Sequence, residues 1–166
     1  MAKAMDVADD IITLAAEQNK PVYNLVLQKI MYFLNVSTYI EQGKPLIEDE
    51  QFEKWDYGPV ISDIYYEYSD NGPGPITKPV VHQSVSFGKD GVPKVNSYNF
   101  NQATFDKKYG YESTYISRNL NRLLKYDPQV LIDKSHLEPQ WSVKEKPFYD
   151  MQQTYNFYRM KKNIFW

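Results

Sequence analysis

The chain has 166 residues, of which 42% are hydrophobic and 24% charged, a balance typical of one folded domain that spans residues 1–166. Its net charge of −2 provides no general basic surface, so binding to nucleic acid is not expected. The absence of cysteine excludes disulfides and thiolate metal sites, and no apolar stretch reaches the roughly 20 residues that span a membrane, so we expect a cytoplasmic protein without a membrane partner.

Two helices are predicted at the start of the chain. Residues 5–18 carry one apolar stripe, and we interpret Asp6, Asp9 and Asp10 as acids that favour the N-terminal end of this helix electrostatically. Residues 23–42 are apolar on more than one side, which is typical of a central, mostly buried helix. Gly43 follows and predicts the end of the second helix.

A sharp break at Gly58 and Pro59 predicts the start of a third helix. Proline suits the first helical position, because its fixed φ is compatible with the helix and its missing N–H would be unpaired there anyway. The run from residue 60 to residue 68 then has apolar side chains at a spacing of four. Repeated Gly and Pro at 71–75 predict its end.

The middle of the chain changes from helical to strand-like patterning. Residues 80–98 are rich in β-forming side chains and contain a turn signal at 88–91, so they predict a β-hairpin within an insertion at about 78–100. Pro93 confines its strand to a sheet edge, because proline cannot donate to the ladder.

Helical patterning returns after residue 101. An apolar stripe predicts a helix over 112–126, and an acid followed by proline at 127–128 predicts the start of a short helix. A last helix is predicted at about 147–160, before a tail that ends at residue 166. These elements predict an α+β, mainly α domain of about six helices with a small β-hairpin insertion.

No group of residues in the sequence indicates catalysis or a cofactor. His82 and His136 lie far apart without metal-ligand spacing, and the acids of 48–56 are typical of a solvated loop, so no metal, cofactor or catalytic residue is predicted. We expect His136 to bond a backbone carbonyl at the end of the short helix while Trp141 closes over the core.

Polar side chains on the second helix need a separate explanation. Gln28 and Lys29 lie on a helix that is otherwise apolar nearly all round. Either they emerge at its one exposed edge or they are buried and paired, and Asp56 and Glu53 are the candidate carboxylates for Lys29.

Two groups of aromatic residues are candidates for a partner-binding surface. One short helix is too crowded with tyrosines for a single core-facing stripe, and the C-terminal segment is unusually apolar. The tail either packs back on its own domain or is offered to a partner. The candidate residues are Tyr65, Tyr66, Tyr68, Tyr158, Phe165 and Trp166.

Four short blocks in a fixed order resemble one known family. They are Leu27-Gln28-Lys29-Ile30-Met31-Tyr32-Phe33, Gly43-Lys44-Pro45-Leu46-Ile47, Phe52-Glu53-x-Trp55-x-Tyr57-Gly58-Pro59-Val60 and Ser135-His136-x-Glu138-x-x-Trp141. In this order they resemble the Panacea domain of SocA-like antitoxins, also called phage-associated GepA-like proteins, over about residues 5–141. The resemblance implies a scaffold or interface role for Gln28, Lys29, Trp55, Tyr57, Gly58, Pro59, His136 and Trp141.

The resemblance also implies a function. Such domains neutralise a toxin that is encoded nearby by binding it directly, which needs no catalytic residue. Alternatives are an adaptor that delivers a client to a protease, with a protease or chaperone as a further partner, and less favourably an unrecognised enzyme or a DNA-binding autoregulator. The insertion and the segment 147–166 depart from the family pattern, so we expect them to influence which toxin is bound.

Overall fold

The computed structural model describes residues 1–166, and its centre is one long helix. Helix α1 spans Ala4–Glu17, and α2 spans Asn24–Gln42. Most of α2 is buried, because its own side chains are apolar on more than one side and other elements pack against those sides. It ends at Gly43, which adopts a left-handed conformation with φ of +74°. The predictions of a first helix and of a buried second helix are confirmed.

The segment around Pro59 is a strand, so the prediction that a helix begins there is wrong. Strand β2 covers Glu53–Trp55 and pairs antiparallel with β3, Gly58–Val60. Helix α3 begins only at Ser62 and spans Ser62–Glu67. Proline is tolerated in β3 because no further strand lies against its outer edge, so the missing N–H removes no ladder bond there.

Further strand pairs and bridges extend the small β elements. Strand β1, Val22–Tyr23, pairs with β4, Pro75–Ile76. The other edge of β2 bonds the segment before the last helix, since the amide of Lys54 donates to the carbonyl of Pro147 at 2.7 Å. The predicted hairpin is confirmed as β5, Val81–Phe87, and β6, Pro93–Asn99.

Four helices make up the second half of the chain. They are α4, Gln102–Lys108, α5, Gly110–Leu124, α6, Pro128–His136, and α7, Met151–Arg159. The carboxylate of Asp127 caps α6 by accepting from the amide of Gln129 at 2.9 Å, as the acid–proline signal predicted. The total is seven α-helices, because α4 is separate from α5.

One hydrophobic core joins all of these elements. Helix α2 packs against α1, α5, α6 and α7, and also against β3. The core comprises 31 buried hydrophobic residues drawn from both halves of the chain, so neither half has a separate centre. The structure is therefore mainly α with small antiparallel strand pairs, as predicted. None of its helices combines the length and the apolarity needed to cross a lipid bilayer.

Candidate functional site: an aromatic cleft on a buried polar scaffold

Gln28 and Lys29 are fully buried and bond the outer edge of β3. The Nζ atom of Lys29 donates to the carbonyl oxygen of Pro59 at 2.9 Å. The Oε1 atom of Gln28 accepts from the amide of Ile61 at 2.9 Å. The two side chains therefore satisfy the strand edge that a neighbouring strand would otherwise pair.

The bonding of Lys29 differs from what we predicted. Its only hydrogen-bond partner is a neutral carbonyl, so the predicted ion pair with Asp56 or Glu53 is wrong. Burial lowers the pKa of Lys29 to about 7, because the charged ammonium loses its hydration without gaining a carboxylate.

Gly58 is the point of closest approach between β3 and the helices. Its φ is +95°, a conformation that side-chain-bearing residues rarely adopt. A Cβ at this position would overlap the Oγ atom of Ser135 on α6 and would lie 3.0 Å from Cε of Lys29 on α2. Glycine is therefore needed here both for its backbone conformation and for its lack of a side chain.

His136 and Trp141 close the scaffold below β2. Their rings stack with centroids 3.7 Å apart, and the indole nitrogen of Trp141 donates to the carbonyl of Trp55 at 3.1 Å. The predicted bond from His136 to a carbonyl at the end of its own helix is absent, and its buried Nε2 atom has no partner. Burial and the charge of Lys29 lower the pKa of His136.

An aromatic cleft of about 720 Å³ lies beside this scaffold. It opens between the start of α2, the β2–β3 turn, α3 and the turn after α3. Four aromatic side chains line it, together with aliphatic, polar and small residues. The residues that define it are Tyr23, Asn24, Trp55, Asp56, Tyr57 and Tyr65.

The aromatic rings of the cleft contact one another at an angle. The Trp55 and Tyr65 centroids are 4.9 Å apart with an interplanar angle of 58°. Tyr66 contacts both rings from the outer side, at 6.1 Å from Trp55 and 5.8 Å from Tyr65. Tyr57 and Tyr66 are 65% and 64% exposed, so two large rings at this site have little cover in the isolated chain.

The structure divides the tyrosines of α3 between surface and core. Tyr65 lines the cleft and Tyr66 lies at its margin, so both are accessible and their role in binding a partner stays a prediction. Tyr68 is fully buried and its hydroxyl donates to Asp9, so its assignment to a partner surface is wrong. Tyr23 and Asp56 also line the cleft, although the sequence patterns did not single them out for this role.

The C-terminal aromatic residues pack on their own chain. Tyr158 is buried, which corrects its assignment to a partner surface. Phe165 and Trp166 are half-buried, and their ring centroids lie 4.8 Å and 5.8 Å from that of Phe33 on α2. Of the two alternatives for the tail, the structure shows the one in which it packs back on the domain.

A buried polar cluster anchors the base of the hairpin and was not predicted. His82 lies between Asp9 and Glu67, with its Nε2 atom 2.7 Å from Asp9 and its Nδ1 atom 3.1 Å from Glu67. Asp6 lies in the first turn of α1, whereas Asp9 and Asp10 lie beyond it and are buried, so interpreting these two as acids that favour the N-terminal end of the helix is wrong. Burial raises the pKa of both carboxyls, that of Asp10 to about 7, although hydrogen bonds from Tyr68 and His82 oppose the shift at Asp9. The signal in the sequence was the apolar residues on both sides of 9–10 at 7–8 and 11–12.

A second buried cluster joins α2 to the C-terminal part of the chain. Glu138 accepts hydrogen bonds from Tyr32 at 2.5 Å, from Thr154 at 2.9 Å and from Gln140 at 3.0 Å. Burial raises the pKa of Glu138, and these bonds oppose the shift. Glu138 therefore belongs to the scaffold. Separately, the structure has no group of three or more acidic or histidine side chains that could hold a metal ion.

Comparison with known proteins identifies one family. Residues 27–142 match the family described as "Antitoxin SocA-like, Panacea domain". An 85-residue segment is 34% identical to "Antitoxin SocA" of Caulobacter vibrioides (strain NA1000 / CB15N), and this segment covers 51% of the present chain and 45% of that relative. The similarity thus spans about half the length of the curated relative. No solved structure matches the chain.

Proposed function

Because the chain belongs to the SocA-like Panacea domain family, we propose that it is an antitoxin that neutralises a cognate toxin by direct protein–protein binding. The toxin would be the product of a neighbouring gene. Neutralisation by binding requires a surface that covers or distorts the toxin's working site, and it requires no catalytic group on the antitoxin.

The observation that carries this proposal is the exposed aromatic cleft. Tyr57 and Tyr66 are large, rigid side chains that remain mostly uncovered, and such rings commonly dominate the free energy of protein association. Trp55 and Tyr65 lie directly behind them. The cleft therefore combines exposed aromatic side chains with a supported floor, and aromatic residues are enriched in the cores of protein interfaces.

The family motif supports the cleft by holding its floor. Lys29 and Gln28 fix β3, Gly58 allows β3 to approach α6, and Trp141 holds the carbonyl of Trp55. This supports a scaffold role for the buried motif residues and a contact role for Tyr57 and one face of Trp55.

Co-expression with the product of each neighbouring gene tests the proposal. We expect one such product to stop growth alone, and the wild-type chain to restore growth and to co-purify with it. Tyr57→Ala and Tyr66→Ala should each weaken the complex about tenfold or more, as expected for interface anchors. Tyr111→Ala is the matched control, because Tyr111 is an exposed tyrosine on α5, outside the cleft and outside the two segments that are expected to influence which toxin is bound.

Three outcomes would contradict the proposal in different ways. If no neighbour is toxic, the antitoxin function is wrong. Rescue without a stable complex would favour a protease adaptor or an enzyme over direct neutralisation. Equal affinity of the wild-type chain and both tyrosine variants would place the interface away from the cleft.

A further inference from the structure

The cleft lies in the most acidic part of the chain. Residues 48–73 contain eight Asp or Glu side chains and one lysine, which gives this segment a charge of −7 in a chain whose total is −2. The remaining residues are therefore net positive. A concentration of one sign of charge on one segment produces a local field that attracts the opposite charge.

This acidic segment supplies most of the cleft wall. All of the lining residues except three at the start of α2 fall within 48–73. The lining includes Asp56 and no lysine or arginine. Asp56 is almost fully exposed, and its one ion pair, with Lys144 at 3.8 Å, is also exposed and hence weak. Its carboxylate is thus available to a ligand.

The aromatic rings add a second element of recognition for a cation. Trp55, Tyr65 and Tyr57 present π faces, and a cation within about 6 Å of such a ring is attracted by its quadrupole. Arginine fits this combination better than lysine does. Its guanidinium is planar and weakly hydrated, so it can stack on a ring while bonding a carboxylate through two N–H groups.

We propose that the cleft binds an extended segment of the partner through an arginine side chain, which stacks on the Trp55 and Tyr65 rings and pairs with Asp56. This inference rests on the proposed function, since it identifies the chemistry of the partner at that same site. The volume of about 720 Å³ exceeds what one side chain fills, so residues flanking the arginine occupy the rest of the cleft against Tyr23 and Tyr57.

Peptide titration followed by NMR tests the chemistry directly. The probe is the capped peptide Ala-Pro-Arg-Leu-Ala, compared with peptides that carry citrulline, lysine or norleucine in place of arginine. We expect the arginine peptide to shift the indole resonance of Trp55 saturably and to bind at least about tenfold more tightly than the citrulline peptide, which has the same shape without the charge. The lysine peptide should fall between them.

Two matched variants test whether Asp56 is responsible for the preference for arginine. Asp56→Asn should remove most of the preference for the arginine peptide over the citrulline peptide and leave only the part that comes from the aromatic rings and the remaining acids. Asp70→Asn changes the charge of the same segment by the same amount, but Asp70 is exposed and outside the cleft lining, so it should retain most of the preference for arginine. Equal binding of the arginine and norleucine peptides would overturn the inference in favour of a purely apolar groove, and no binding of any peptide would also overturn it.

The same variants separate this inference from the proposed function. If the wild-type chain binds and neutralises its toxin, and Asp56→Asn does so equally well while the arginine peptide fails to bind, only the arginine inference is wrong. If the arginine peptide binds at Trp55 in an Asp56-dependent manner but no neighbouring gene product is toxic, the cleft chemistry holds and the antitoxin function is wrong.

Discussion

Two glycines show how much a single residue contributes to the scaffold. Gly58 and Gly43 both have positive φ values, of +95° and +74°. A Cβ at Gly58 would overlap Ser135, whereas a Cβ at Gly43 would meet nothing within 4 Å. The two positions therefore share a backbone requirement and differ in steric surroundings.

Substituting each glycine by alanine separates these two effects. We expect Gly43→Ala to lower the free energy of unfolding by about 1 kcal/mol, the cost of a left-handed alanine. Gly58→Ala should lower it by about 3 kcal/mol, because overpacking adds to the same backbone cost. Urea unfolding measures both, and Ser135→Ala in the Gly58→Ala background should recover part of the loss. Equal losses of stability at the two glycines would show that Ser135 on α6 can move away from a Cβ at position 58 without a cost in free energy.

Lys29 makes stability depend on pH in a predictable direction. Its pKa is about 7 in the folded chain and about 10.5 when unfolded. Between these values the unfolded chain binds a proton that the folded chain lacks, so stability rises with pH through this window.

Lys29→Met should remove this dependence. The wild-type free energy of unfolding should rise relative to that of the variant by up to about 1.4 kcal/mol per pH unit between about pH 7 and pH 9.5. Loss of the bond to Pro59 lowers the variant's stability by an amount that does not depend on pH. Lys107→Met, at an exposed position on α4, is the control and should keep the wild-type slope. Parallel pH profiles for the wild-type chain and Lys29→Met would contradict the burial of an uncompensated lysine.

At the scale of elements, local patterns predict those whose partners are near in sequence. The stripes of α1 and α5, the cap of α6 at Asp127 and the turn of the hairpin are local signals, and all four elements formed where expected. The strand at Pro59 was missed because its edge is satisfied by side chains about 30 residues earlier. Nothing within the segment itself distinguishes that strand from a helix start.

The hairpin divides into an anchored base and an exposed outer part. His82 bonds Asp9 and Glu67 at the base, whereas Val85, Phe87 and Val95 are mostly exposed. Replacing residues 84–96 by Asn-Gly, which joins the paired residues 83 and 97 through a two-residue turn, should therefore change the free energy of unfolding by less than about 1 kcal/mol.

His82→Ala is the contrasting change at the base. It should cost about 3 kcal/mol, because it removes the imidazole nitrogen that lies 2.7 Å from the buried carboxyl of Asp9 and the packing of that ring. Thermal unfolding of the two variants side by side measures the difference. A shortened hairpin that is less stable than His82→Ala would show that the outer strands contribute to the core.

At the scale of the whole molecule, the C-terminal segment completes the fold. The family match ends at residue 142, yet Tyr149, Tyr155 and Tyr158 belong to the hydrophobic core and Thr154 bonds Glu138. Sequence patterns predicted a helix in this segment but could not show what its tyrosines pack against, since their partners on α2 lie more than 100 residues earlier.

Truncating the chain at two points tests which C-terminal residues the hydrophobic core needs. A chain that ends at residue 142 should lose cooperative unfolding, because it lacks a large part of the core. A chain that ends at residue 163 keeps Tyr158 and loses only the half-buried tail, so it should unfold cooperatively with a loss of about 2 kcal/mol. Circular dichroism melts measure both, and a cooperative transition in the shorter chain would show that residues 27–142 fold independently.

The hydroxyl of Tyr32 has consequences for the order of events during translation. Its partners Glu138 and Thr154 lie 106 and 122 residues later in the chain. All residues that line the cleft are made by residue 73, but the ribosome needs a further 4 to 16 s or so to reach residue 154 at typical elongation rates. A nascent chain therefore carries the cleft-lining side chains before it can form the hydrogen bonds of Tyr32. If the cleft binds the partner as proposed, binding competence should appear only after residue 154 has been made, so the rate of translation, as well as affinity, determines how soon a newly made molecule can act.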